Sequence, residues 1–125
     1  MAVATGSSTG TYNLKIQKHG ELMKLISHVV TSDDPELKHG KPEPDIFLLT
    51  ASRFQSVPAS SDKVLVFEDA PNGVAAASAA RMNVVMVPDT RTDKSLCSKA
   101  DKVLESLVEF DPVQWGFPEF ASCKQ

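Results

Sequence analysis

Val64-Leu65-Val66-Phe67-Glu68-Asp69-Ala70-Pro71-Asn72-Gly73 reads as a short apolar strand running straight into a helix. Val64 to Phe67 is a continuous apolar run of the kind that forms a strand buried on both faces, and Ala70 to Ala80 is an alanine-rich helical stretch. Glu68 and Asp69 therefore fall on a strand-to-helix turn. In a parallel sheet covered by helices on both faces, such turns lie at the carboxyl edge, where ligands bind. Asp69 has two readings: it caps the helix that Pro71 begins, or it serves a ligand. Two adjacent carboxylates repel each other unless a divalent cation or a basic group neutralises them.

Upstream, Gly40-Lys41-Pro42-Glu43-Pro44-Asp45-Ile46-Phe47 supplies the basic group. Pro42 biases Lys41 towards an extended backbone, and Pro44 suits the start of a helix whose apolar residues Ile46, Phe47, Leu48 and Phe54 follow. Lys41 is thus either an ordinary exposed lysine in a proline-rich loop or a held cation. A cation just ahead of a helix N-terminus is mildly disfavoured by the helix dipole, so its presence there suggests that an anion is expected.

The remainder alternates strand and helix. Met1 to Thr5 is a small apolar strand, followed by the loop Thr5-Gly6-Ser7-Ser8-Thr9-Gly10, whose hydroxyls and closely spaced N–H groups suit a phosphate but are equally common in turns. Tyr12 to Ile26 reads as one amphipathic helix, with Gly20 costing about 1 kcal/mol against alanine. Strands are expected over His28 to Thr31, Val84 to Asp89 and, at an edge, Lys102 to Leu104, with a last helical turn at Glu105 to Phe110 and a surface tail from Pro112 pinned by its aromatics. The alternation predicts one α/β domain with a parallel sheet. With 125 residues, 42% apolar and a formal charge of -3, the chain is expected to be a cytoplasmic globular protein without nucleic-acid or membrane partners. Cys97 and Cys123 lack metal spacing and are not expected to form a disulfide framework, and His19, His28 and His39 read as surface or structural residues.

These segments together resemble the haloacid dehalogenase superfamily, and within it the pseudouridine-5'-phosphatase group. The likeness runs from Ala2 to about Phe120 and is carried by His39 to Phe47, Val66 to Val74 and Val84 to Asp89. It implies a Rossmann-like parallel sheet with flanking helices and Mg²⁺-dependent hydrolysis of a small phosphorylated metabolite, a nucleoside or sugar phosphate, by a protein that is a monomer at full length. By the same resemblance, Thr5 and Lys41 are the catalytic positions. Thr5, Gly6 and Lys41 bind phosphate, and Asp69 with Glu68 binds Mg²⁺. Phosphoryl transfer is mostly positioning and charge neutralisation, which such parts can supply.

The departures from the family pattern carry equal weight. The family's nucleophile is the first Asp of an Asp-x-Asp motif on its first strand, and no such motif stands here. The helical cap domain that selects the substrate is also without a counterpart. Residues 1–125 are therefore expected to be a partial core. In the family the absent strand lies between the strand ending at Thr5 and the strand ending at Phe67. Removing one strand would leave a gap of roughly 9.6 Å between two unpaired edges. Unpaired core backbone groups cost about 1 to 3 kcal/mol each, so marginal stability is expected. A mutase-type phosphoryl transfer enzyme and a catalytically dead phosphate-binding remnant are the alternatives. Relatives tend to have glycine where Arg81 stands, at a helix end that calls for left-handed backbone.

Overall fold

The computed structural model describes residues 1–121. In chain order the elements are β1 (Val3–Ala4), α1 (Thr9–Ile16), α2 (Gly20–Met23), β2 (Val29–Val30), α3 (Asp45–Ser52), β3 (Leu65–Glu68), α4 (Pro71–Ala79), β4 (Asn83–Met86) and β5 (Lys102–Val103), with four short 3-10 turns between and after them. All pairings are parallel, as the alternation of strand and helix predicts, and they form two separate ladders. β1 pairs with β2 in register Val3 to Val29, while β3 pairs with β4 in register Leu65 to Asn83 and β4 with β5 in register Val85 to Lys102.

The backbone bonds show which way the open edges face. Asn83 N–H donates to the Val64 carbonyl and Val87 N–H to that of Glu68, so the even residues of β3 serve β4. The backbone groups of Leu65 and Phe67 consequently face the open side. In β1, Val3 and Thr5 N–H donate to the His28 and Val30 carbonyls. Ala4 therefore faces the open edge of its own ladder.

The core is centred on β4 and α4: Val74, Ala76, Ala77, Val84, Val85 and Met86 are fully buried. Each fully buried Val or Met side chain contributes about 1.5 to 3 kcal/mol. Helix α3 packs against β1, β2 and α4, so it is the element that spans the two ladders, with Ile46 and Phe47 buried beneath it. His28 is held as a structural residue: its Nε2–H donates to the Thr50 carbonyl at 2.8 Å, and its ring meets the edge of Phe54 with centroids 4.7 Å apart.

Several sequence expectations are corrected. The single helix expected over Tyr12 to Ile26 is broken between Ile16 and Gly20, and His19 has non-helical backbone (φ -121°). The broken helix is held at one point where the Tyr12 hydroxyl donates to Met23 Sδ at 3.1 Å. Part of its apolar stripe stays uncovered: Leu14, Leu22 and Leu25 are 68, 53 and 63% exposed, while Ile16, Met23 and Ile26 are half-buried. Phe67, expected to be buried, is 46% exposed because no strand lies against that side of β3 among the described residues. Its ring packs edge-on against Phe110, centroids 4.9 Å apart. The last helical turn is a 3-10 turn at Leu107–Glu109, and another at Pro112–Trp115 puts Trp115 in a shallow recess beside Lys102 and Phe110. Cys97 is free and buried, whereas Cys123 lies outside the described residues.

Arg81 does adopt left-handed backbone, with φ 61°. Around it, Met82 N–H donates to the Ala77 carbonyl and Arg81 N–H to that of Ser78, the bond pattern of a Schellman helix end. No helix among the described residues is long and apolar enough to cross a membrane.

Candidate active site

Because every strand runs the same way, the segments that follow them converge on one edge. There a cavity of about 680 Å³ is lined by Thr5, Gly6 and Ser7 after β1, by Glu68, Asp69 and Asn72 at the junction of β3 and α4, by Val87 after β4, and by Lys15, Lys41, Phe67 and Leu107. All five residues singled out from the sequence line it: Thr5, Gly6, Lys41, Glu68 and Asp69.

The Thr5 loop is held from beneath. Thr9 donates its backbone N–H to Asp33 at 3.0 Å and its hydroxyl at 2.9 Å, the Thr31 hydroxyl donates to the same carboxylate at 2.6 Å, and Ser32 N–H donates to the Ser7 carbonyl. These bonds, the Thr31 hydroxyl foremost and then Thr9, hold the Asp33 carboxyl below the usual carboxylate range. Within the loop, Ser7 N–H donates to Thr5 Oγ1 at 3.1 Å. The Thr5 hydroxyl hydrogen therefore remains available to a ligand.

Lys41 is a held cation. Its ammonium donates to the Ala4 carbonyl at 3.2 Å and to Glu68 Oε1, and it lies 5.0 Å from the centroid of the Phe47 ring. The two paired side chains are only 14 and 7% exposed. Its loop is tied down by Arg53 at the end of α3, which forks onto Asp34 at 2.6 and 2.9 Å and also reaches Glu36. The Arg53 hydrogen bonds hold the Asp34 carboxyl below its ordinary value.

The carboxylates divide. Glu68 turns inward to Lys41 and lies against the first turn of α4, where a Cβ on Gly73 would come 2.1 Å from its Cδ. Glycine is required there for this close approach. Asp69 is exposed, and its carboxylate has no hydrogen bond or ion pair among the described residues. It is not the cap of α4: the cap position is Ala70, which offers no side-chain bond.

The described residues contain no group of three or more His, Cys, Asp or Glu that could hold a metal. Mg²⁺, however, is commonly bound through one or two carboxylates together with phosphate oxygens and water, not in an all-protein cage. An unengaged Asp69 beside Glu68, on the wall of a cavity whose loop can seat a phosphate, fits that donor pattern. Sequence reasoning did not single out Lys15, whose ammonium donates to Ser7 Oγ at 2.9 Å. Nothing in its spacing separates it from Lys18; only the fold does.

A family model described as haloacid dehalogenase-like hydrolase matches residues 1–81. Among curated proteins, the chain is 56% identical over 120 residues to (DL)-glycerol-3-phosphatase 1, mitochondrial, of Arabidopsis thaliana, covering 96% of this chain and 40% of that protein. It is 50% identical over 119 residues to the Probable pseudouridine-5'-phosphatase of Drosophila melanogaster, covering 94% and 51%. Among solved structures it is similar to CbbY from Rhodobacter sphaeroides, crystallised with xylulose-(1,5)bisphosphate, with a TM-score of 0.72, 26% identity and coverage of 86% and 47%. The chain spans about half the length, or less, of these proteins. A parallel α/β fold, a cavity at its carboxyl edge and phosphatase relatives matched along almost the whole chain agree with the family model: the chain belongs to the haloacid dehalogenase-like hydrolases.

Proposed function

We propose that residues 1–125 are the carboxyl-terminal core of a Mg²⁺-dependent phosphomonoester hydrolase of small metabolites, acting on a nucleoside or sugar phosphate such as pseudouridine 5'-phosphate, and that this chain alone does not turn over. The observation that carries the reading is the meeting of the Thr5 loop, Lys41 and Asp69 in one cavity. In this reading the Thr5 hydroxyl and Gly6 N–H seat the phosphoryl oxygens, and Lys41 sets the charge at the base of the site. Asp69, with Glu68 behind it, would hold Mg²⁺, which supplies further neutralisation of the phosphoryl charge when bound.

The same geometry explains the silence expected of the chain alone. Covalent phosphoryl transfer needs a nucleophile within attack distance, either a carboxylate or a hydroxyl with a base to activate it. Thr5 has no free base in this reading: none of the cavity-lining residues is a histidine, Glu68 is paired with Lys41, and Asp69 is given to Mg²⁺. A second reading, a polyol phosphate substrate, is favoured by the greater identity to the glycerol-3-phosphatase.

The test is phosphate release from glycerol 3-phosphate, pseudouridine 5'-phosphate and glucose 1-phosphate. It compares the 125-residue chain with a full-length protein containing it, with and without Mg²⁺. Saturable, Mg²⁺-dependent hydrolysis by the full-length protein and background release by the chain are expected. Saturable turnover by the chain that Asp69→Ala abolishes would overturn the expected silence. Phosphoryl transfer between sugar hydroxyls without net release would favour a mutase, and failure on every ester would favour a binding remnant.

A further inference from the structure

We propose that Lys15 is the anion-facing cation of this cavity, balancing the charge of a phosphate monoester dianion seated on the Thr5 loop; this rests on the phosphate-binding reading above. Lys41 lines the cavity, but its charge is compensated by Glu68, and one of its donors is committed to the Ala4 carbonyl. In the metal-free chain Asp69 adds an uncompensated negative charge on the same wall. Without another cation the metal-free cavity would present net negative charge to a dianion. Lys15 is the remaining cation on its lining, and among the described residues it has no carboxylate partner.

Its position suits the task. The Lys15 ammonium donates to Ser7 Oγ at 2.9 Å, and Ser7 N–H donates to Thr5 Oγ1 at 3.1 Å, so the lysine lies two hydrogen bonds from the proposed phosphate seat. An ammonium has three donors, and a neutral hydroxyl takes up only one of them. The other two face solvent or a ligand. A dianionic monoester gains more from this cation than a monoanionic diester does.

Inorganic phosphate is the probe, titrated into the 125-residue chain at low salt and followed through the amide resonances of Thr5, Gly6 and Ser7. Lys15→Gln, which keeps a hydrogen-bond donor for Ser7 but removes the charge, is expected to weaken binding about tenfold. Lys15→Arg is expected to bind like the wild type. Lys18→Gln, an equal charge change on an exposed residue outside the cavity, should change affinity less than twofold. Equal affinities for Lys15→Gln and Lys18→Gln would overturn the proposal while leaving the phosphate seat intact. So would a loss in Lys15→Gln that Ser7→Ala reproduces in full, which would make Lys15 a prop for the loop. If phosphate moves none of the three amides in the wild type, both the seat and the role of Lys15 fall.

Discussion

In the β3–β4–β5 ladder Val84, Val85 and Met86 are fully buried, whereas in the β1–β2 ladder Val30 alone is, and the two helices that follow β1 bury no residue. Strands of four residues build the centre of the first ladder, and strands of two build the second. The site draws on both: Thr5, Gly6 and Ser7 come from the thin half, Glu68 and Asp69 from the thick one. Its geometry therefore depends on the ties that cross between halves. Helix α3 is one, and Lys41, which joins the Ala4 carbonyl of β1 to Glu68 of β3, is another.

The largest expected effect is on that second tie. Lys41→Ala leaves a mostly buried Glu68 without its partner and is expected to cost about 3 to 5 kcal/mol, against less than about 0.5 kcal/mol for Lys38→Ala in the same loop. Urea unfolding measures both, and hydrogen exchange should show the Val3 and Thr5 amides losing more protection than that of Val85. Equal costs for the two lysines would show that the halves do not lean on this pair.

Gly73→Ala sharpens the comparison from the thick half. The new Cβ would come 2.1 Å from Glu68 Cδ, so the carboxylate must move off Lys41. The expected cost is about 1 to 3 kcal/mol. Gly40→Ala, where a Cβ meets nothing within 4 Å, is the control. Matching values would mean that Glu68 does not rest on the first turn of α4.

The smallest effect is a gain confined to the thick half. Arg81→Gly removes a non-glycine residue from left-handed backbone and is expected to stabilise by about 1 kcal/mol. Arg81→Ala should give no such gain. If both substitutions are neutral, the helix end does not carry the strain its φ of 61° implies.

What the sequence revealed follows from the range of the interactions. Glu68 and Asp69 were legible because an apolar run ending in acids before Ala-Pro is a local signature of a strand-to-helix turn, and Lys41 because prolines fix its surroundings. The break at Gln17 to His19 was not, because the period of Leu14, Leu22 and Leu25 looks the same whether or not another element covers it. The exposure of Phe67 is hidden from the sequence for the same reason: a strand's burial depends on its neighbours. The engagement of Glu68 with Lys41, the fit of Gly73 and the reach of Lys15 are contacts between distant positions, and no spacing rule encodes them.

The placement of two aromatic side chains gives the molecule its own pair of optical reporters. The chain has one tyrosine and one tryptophan. Tyr12 bridges α1 and α2 on the thin side, and Trp115 lies in its recess beside β5. A tryptophan emission curve therefore follows the thick ladder and is blind to the loosening of the Thr5 loop, which only tyrosine absorbance registers. Coincident transitions at the two wavelengths would mark one cooperative unit; an earlier tyrosine signal would mean that the phosphate seat dissolves while a single-probe melt still reports a folded protein.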